Sequence, residues 1–229
     1  MNRNLIISPA GKNSLVGEWV EGVPNFDIVL LCYEKDTKLH EYFTKYTPHV
    51  YVGVGEKLHL IKAFIESNLD FIKDYDYVWC PDDDISISTE DINRVFNIAR
   101  EYKLQLCQPA MKGYVAHDIT RPVAGNILRH TNFVEILAPL FSQEALNTLY
   151  STFTYNISGW GYEWLWAHLL GDPKDKIAVV DSVIMEHTKP VGGAYSTDRF
   201  PIPPGEEMQI LFQKYKLTQN YINYQSILQ

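Results

Sequence analysis

Three short stretches of this 229-residue chain carry side chains that could do chemistry together. The first is Asp82-Asp83-Asp84, which follows Tyr77-Val78-Trp79-Cys80-Pro81. Four strand formers and then a proline read as a short buried strand that stops there. Neighbouring carboxylates repel and raise one another's pKa; a divalent cation removes that penalty, because hard cations take oxygen ligands. Ligands of open α/β sheets bind beyond the carboxyl ends of strands. The triplet is therefore a candidate metal site, with a solvated acidic turn before a helix as the alternative. The second stretch is Ser158-Gly159-Trp160-Gly161-Tyr162-Glu163. Its glycines permit a sharp turn that exposes an indole face. Glu163 falls at a helix start, where the dipole favours the ionised form. It becomes a general base if burial lifts its pKa toward neutrality, and is otherwise a helix-start acid beside a core Trp. The third is His187, just past an apolar run. Neutral imidazole suits Mn²⁺ when joined to carboxylates, although a lone His in a turn is commonly a surface residue.

The elements that must position these groups read as alternating strands and helices. Residues 5–7 form a first strand, ended by Ser8-Pro9-Ala10-Gly11. The near-continuous apolar run 26–33 fits a central parallel strand, and residues 50–54 a third. Apolar residues at helical spacing predict a helix over 56–71 that leads into the strand at 77–80, a right-handed parallel crossover. Ser88-Thr89-Glu90-Asp91 resembles a capping box, followed by an amphipathic helix through Ile92, Val95, Phe96 and Ala99. Residues 104–109 form a strand and 112–129 a long irregular loop. A strand with alternating faces is expected over 131–137, a helix over 142–152, and a strand over 176–181, which residues 183–186 either continue or pair with. His187 then opens a turn rich in Gly and Pro. A last helix spans 205–215.

Composition bounds the function. With 46% hydrophobic and 21% charged residues, the chain is long enough for one substantial core. A net charge of −8 argues against non-specific nucleic-acid binding; it also means that a phosphorylated ligand needs a cation or a local basic group. Cys32, Cys80 and Cys107 are odd in number and widely spaced, which fits buried thiols better than disulfides or a zinc site. Neither a signal peptide nor a transmembrane run is visible, so a cytoplasmic location is expected.

An acidic triplet after an apolar strand, a Gly-Trp-Gly-x-acid segment and a late His resemble the pattern of metal-dependent glycosyltransferases with the glycosyltransferase-A fold. The likeness extends to a family known as a domain of unknown function and, in plants, as "lysine-ketoglutarate reductase trans-splicing related". It is carried by residues 4–8, 77–85, 107–110, 134–142, 159–163 and 179–182 with His187. The resemblance implies an α/β, Rossmann-like, single-domain three-layer sandwich around a mostly parallel sheet. Residues 1–110 would form a nucleotide-binding half and 111–229 an acceptor-binding half with C-terminal helices. It implies transfer of a sugar from a nucleotide-diphosphate donor, expected to be a UDP-sugar, to a hydroxyl of a carbohydrate or other acceptor. Mn²⁺ or Mg²⁺ would assist by neutralising the leaving diphosphate. Asp82-Asp83-Asp84 takes the place of the family's Asp-x-Asp element. Asp84 and His187 match the metal ligands, and Asp82 contacts the ribose or binds the metal through water, with Asp83 beside it on the donor. Ser8 and Tyr33 border the nucleotide, and Lys57 and Lys112 are placed near the diphosphate. Trp160 and Tyr162 face the acceptor, and Glu163 matches the base of inverting members, although Glu stands where Asp is commoner. A sugar-nucleotide nucleotidyltransferase shares the fold but normally carries a Gly-rich basic loop, which is missing here. A non-catalytic nucleotide- or carbohydrate-binding domain is the reading from another class.

Overall fold

A computed structural model of the chain describes residues 3–190 and 200–229. The Gly- and Pro-rich turn expected after His187 lies mostly outside these residues.

Four parallel strands build the edge of the sheet that carries the acidic triplet: β1 (Asn4–Ala10), β2 (Asp27–Cys32), β3 (Val50–Val52) and β4 (Tyr77–Trp79). β1 runs three residues past its expected end. Its β4 partner pairs only with Asn4 to Ile6, so Pro9 lies beyond that ladder and withholds no bond from it. Both faces of β1, β2 and β4 are buried, and successive side chains serve opposite cores. Ile6, Ile28 and Leu30 pack with Trp19 and Phe96 on one side. Leu5, Ile7, Val29 and Leu31 pack with Leu58, Ile61 and Phe64 on the other.

The second side is covered by α3 (Lys57–Ser67), the crossover helix that returns the chain to β4. The expected single helix over 56–71 is interrupted at Asn68, whose amide caps Phe64 O at 2.8 Å; a short α4 (Leu69–Ile72) follows. On the first side lie α1 (Val16–Trp19), α2 (Thr37–Phe43) and α5 (Thr89–Glu101). Ser88 caps α5 by accepting the Asp91 N–H at 3.1 Å, as its sequence predicts.

The remaining strands are β5 (Ile85–Ser86), β6 (Leu106–Gly113), β7 (Asn126–Thr131), β8 (Leu140–Ser142), β9 (Ile177–His187) and β10 (Asn223–Leu228). The order across the ten-stranded sheet is β10-β7-β9-β6-β8-β4-β1-β2-β3, with β5 added beside β9. Following the pairings, β1–β4, β6, β9 and β10 run one way and β5, β7 and β8 the other, so the sheet is mostly parallel in direction. Of the two alternatives for 183–186, the structure has the first: these residues continue the strand, and both stretches form β9. Its register against β6 jumps from Val180 to Ile184, a bulge at Asp181 to Val183.

Three expectations need correction. The loop over 112–129 contains the end of β6, a turn of 3₁₀ helix at Asp118–Thr120 and the start of β7. No strand spans 131–137: β7 ends at Thr131 and the chain continues irregularly to β8. The C-terminal helices are one helix, α8 (Pro204–Tyr215), followed by β10 paired antiparallel to β7. Between β8 and β9 lie α6 (Gln143–Leu149), a 3₁₀ turn at Tyr150–Thr154 and α7 (Tyr162–Leu169).

Candidate active site

Beyond the end of β4, Pro81 to Ile85 are held at almost every backbone position. The Cys80 N–H donates to Pro139 O and the Asp82 N–H to Leu137 O, each at 2.8 Å. Ser8 Oγ donates to Pro81 O at 3.0 Å, the Leu15 N–H to Asp83 O at 2.7 Å, and Trp19 Nε1 to Ile85 O at 2.8 Å. Thus fixed, the three carboxylates take different tasks. Asp83 turns inward: its Oδ2 accepts the Gly11 N–H at 2.8 Å and the Tyr33 hydroxyl at 3.3 Å. Burial pushes its pKa up to about 6, against the lowering effect of Gly11. It fastens the turn after β1, where Gly11 lets the Tyr33 hydroxyl close in; a Cβ there would lie 2.2 Å from Tyr33 Oη and displace the ring. Asp82 faces the first residue of α3, with Lys57 Nζ 2.7 Å from its Oδ1.

Asp84 faces the other way, toward the end of β9. The antiparallel pair β5–β9 sets Ile85 opposite His187, which is how two residues a hundred positions apart become neighbours. His187 Nε2 lies 3.7 Å from Asp84 Oδ1, beyond hydrogen-bond length, and Lys189 Nζ lies 3.5 Å from Oδ2. Burial tends to raise the Asp84 pKa, but His187 and Lys189 outweigh it and hold the carboxyl below its ordinary value. Burial likewise tends to lower His187, and Asp84 with the Tyr114 carbonyl reverses it, leaving the imidazole pKa raised.

α7 supplies the third group. Gly161 caps it in the left-handed region (φ 94°), a conformation that costs other residues strain. Glu163 folds back so that its Oε2 accepts the Gly161 N–H at 3.0 Å. Its side chain is almost fully enclosed, and burial drives its pKa up to about 7 against the N–H groups of Glu163 itself, Gly161 and Ile136. Desolvation thus outweighs the helix-start preference for the anion.

One cleft of about 830 Å³ is lined by Asp82, Asp83, Asp84, His187, Glu163 and Trp160, together with Tyr33 and Lys57. Three predicted residues stand outside it. Ser8 is fully buried and bonded to Pro81 O. Tyr162 is also fully buried, its hydroxyl accepting the Asn156 N–H at 2.9 Å, because the first turn of α7 directs it into the core. Lys112 lies outside the cleft and pairs with Glu186 at 3.1 Å.

The model of a family described as "Protein of unknown function (DUF707)" matches residues 10–132, more than half of the chain. The chain belongs to that family. No curated protein matches it. Among solved structures, S. aureus TarS 1-349 superposes with a TM-score of 0.57 at 13% identity, over 81% of this chain and 60% of that one. The complex of S. aureus TarS 1-349 with UDP-GlcNAc gives 0.56 at 14% identity, over 92% and 71%. GalNAc-T7 with UDP, GalNAc and Mn²⁺ gives 0.65 at 10% identity, over 93% of this chain and 49% of that one. This member of the family therefore spans about half to seven-tenths of those chains and has a glycosyltransferase-A-like fold.

Sequence reasoning missed two residues of the family member's cleft. Lys189 lies two residues beyond His187, where nothing in its sequence context distinguishes it from a solvated lysine. Glu135 lies in the irregular segment after β7, which is the part most tied to the site. Its neighbour Ile136 and then Leu137 offer their carbonyls to Lys57 Nζ at 2.8 and 2.7 Å, Leu137 O holds Asp82, and the Ile136 N–H faces Glu163. The backbone groups that a strand would spend on a ladder are used here to brace the two ends of the cleft. That is why the apolar run of 133–137 is no strand. Glu135 itself is buried; burial first, and then Glu163, push its pKa up to about 8.

Among the described residues no group of three or more His, Cys, Asp or Glu is set to hold a metal. Asp82, expected with Asp84 and His187, is engaged by Lys57 instead. The two remaining groups still fit a hard divalent ion, because Mg²⁺-type sites commonly use one or two protein ligands with substrate phosphates completing the shell. Asp84 Oδ1 is buried without a hydrogen-bond partner. His187 Nδ1 lies 2.7 Å from Tyr114 O, which directs Nε2 toward Asp84, the arrangement that backs metal-ligating imidazoles.

Proposed function

We propose that this protein is a glycosyltransferase that takes a sugar from a nucleotide-diphosphate donor, with UDP as the expected nucleotide, and passes it to a hydroxyl acceptor. The observation that carries this reading is the convergence, in one cleft of a glycosyltransferase-A-like fold, of the neighbouring Asp84 and His187 with Glu163 and Trp160. Asp84 and His187 would hold Mn²⁺ or Mg²⁺ at the diphosphate. When bound, such an ion neutralises charge on the leaving diphosphate. Lys189 adds a second positive charge there. Lys57 keeps Asp82 in place for the ribose or diphosphate side of the donor, and Asp83 and Tyr33 fix the turn beside the nucleotide. Glu163, held near neutrality by burial, accepts the proton of the attacking hydroxyl, the chemistry of an inverting transfer. Trp160, 37% exposed, offers its indole to the apolar face of the acceptor.

Calorimetry with UDP tests the donor site. UDP is expected to bind in Mn²⁺ and lose that binding in chelator. Asp84→Ala and His187→Ala should each weaken metal-dependent affinity by at least the roughly 10–100-fold typical of disturbed metal sites. UDP and other nucleoside diphosphates binding equally well with and without metal would refute the reading.

A further inference from the structure

Four buried side-chain polar atoms among the described residues lack a hydrogen-bond partner: Asp84 Oδ1, His130 Nδ1, Glu135 Oε2 and Ser182 Oγ. Asp84 and Glu135 line the same cleft, and the proposed role of Asp84 leaves Glu135 unexplained. Only 5% of Glu135 is exposed, and its Oε2 is out of reach of bulk water. A buried orphan of this kind calls for a partner that is absent from the protein itself.

Two observations fix what that partner is. The first is the state of the carboxyl. The nearest ammonium candidate, Lys57 Nζ, is already committed to Ile136 O, Leu137 O and Asp82 Oδ1. Glu163 and Asp82 act on Glu135 as further acids. A carboxylate buried without donors and beside other acids is strongly disfavoured. The neutral acid is the form that this site keeps, and a neutral acid has one O–H to donate. Burial raising its pKa to about 8 agrees with that. The second observation is position. The next residue, Ile136, turns its N–H to Glu163 and its carbonyl to Lys57 Nζ, which lies 2.7 Å from Asp82, so Glu135 stands in the segment between the proposed base and the acids proposed to hold the donor. The group lying between a diphosphate and an acceptor is the sugar in transit.

Resting on the donor reading above, we propose that Glu135 is a specificity-determining residue whose carboxyl O–H donates a hydrogen bond to a hydroxyl oxygen of the transferred sugar. The Glu135 N–H, held at 2.6 Å by Gln108 Oε1, anchors the residue for this task. Gln108 is itself fully buried on β6.

The test compares Glu135→Gln with Glu135→Leu in the full-length protein with Mn²⁺. UDP binding is measured by calorimetry, and hydrolysis is measured for UDP-glucose, UDP-galactose, UDP-GlcNAc and UDP-GalNAc. For the sugar nucleotide that the wild type hydrolyses fastest, Glu135→Leu should lower kcat/KM about tenfold, the worth of one neutral hydrogen bond at the upper end. Glu135→Gln, whose amide N–H can donate to the same oxygen, should restore it to within about threefold. Both variants should bind UDP as the wild type does, which shows that they are folded; if Glu135→Leu does not, Glu135→Ala replaces it. Glu135→Gln as inactive as Glu163→Gln, with UDP binding intact, would overturn the proposal in favour of an ionised role. An unchanged kcat/KM in Glu135→Leu would overturn it by showing that no sugar contact exists. Wild-type protein that binds UDP no better with Mn²⁺ than with chelator would instead overturn the donor reading, and this proposal with it.

Discussion

Replacing Glu163 by Gln is expected to lower turnover and raise stability in the same protein. The residue is enclosed, and burial lifts its pKa from 4.5 to about 7. A carboxyl whose folded pKa lies above its unfolded value penalises folding only when it ionises. Below 4.5 the group is protonated in both states and costs nothing; the penalty grows as pH rises from 4.5 to 7 and is complete above 7. Each pKa unit corresponds to about 1.4 kcal/mol, so the cost is about 1 kcal/mol at pH 5 and about 3 kcal/mol at pH 8. A Gln at this position keeps an oxygen for the Gly161 N–H, which Glu163 Oε2 now accepts at 3.0 Å, and has no charge to lose. Urea denaturation should therefore show Glu163→Gln about 3 kcal/mol more stable than wild type at pH 8 and about 1 kcal/mol at pH 5. Turnover should fall by about 10²–10⁴-fold, the usual worth of a positioned base. Wild-type kcat/KM should rise about tenfold per pH unit below 7 and level off above it. A stability difference independent of pH, or a variant that keeps its turnover, would refute the assignment of Glu163 as a base held near neutrality.

Three further substitutions probe the parts that hold the site. Trp160→Ala removes a cleft-lining indole and should raise acceptor KM by about 2- to 10-fold, more than donor KM, in steady-state kinetics. Gly161→Ala forces a side chain into φ 94° with its Cβ 3.1 Å from Met208 Cγ and 3.2 Å from Phe212 Cε1. Left-handed strain and crowding together should cost about 2 kcal/mol or more in urea denaturation, and an unchanged midpoint would argue that the α7 cap is not held there. Asp181→Ala removes the carboxylate in the β9 bulge that binds Arg129, Asn126 and the Val123 N–H. Arg129 is 5% exposed; stranding its charge should cost about 3–5 kcal/mol, read as a Tm fall of about 10 °C.

Local rules made part of this molecule legible in its sequence. The buried parallel strands, the α5 cap at Ser88 and the glycine turn at 159–161 each depend on residues within one element. So does the placing of Asp84 at a strand end. Local pattern misleads where distant chain segments decide. Residues 131–137 alternate well enough for a strand, yet their carbonyls go to Lys57 and the Asp82 N–H. Tyr162 looks like a partner of Trp160, but the first turn of α7 buries it. Glu135 has no local signal at all, being one acid in an apolar run, and only the cleft shows its importance. His187 stands out by its place after a strand, whereas its contact with Asp84 depends on the short β5 pairing, two residues long and invisible to periodicity.

The charge balance of the cleft explains why one triplet needs three different acids. Glu135 and Glu163 are raised toward neutral pH by burial, which removes part of the negative charge that neighbouring carboxyls would otherwise concentrate, whereas Asp83, raised only to about 6, stays mostly ionised at pH 7. Asp82 is matched by Lys57 and Asp84 by Lys189. The resting cleft, which Glu56 also lines, therefore stays acidic, and a nucleoside diphosphate sugar brings two further negative charges into it. Lys57 has no free valence to meet them, since it already holds two carbonyls and Asp82. A divalent cation entering with the donor offsets those charges, and its protein ligands are the groups whose lone pairs remain unspent, Asp84 Oδ1 and His187 Nε2. On this argument donor and cation each bind weakly alone and tightly together: saturating Mn²⁺ should strengthen UDP affinity by the same factor by which saturating UDP strengthens Mn²⁺ affinity. A titration of each ligand in the presence and absence of the other measures both factors. Independent binding of the two would mean that the donor's charge is offset in some other way.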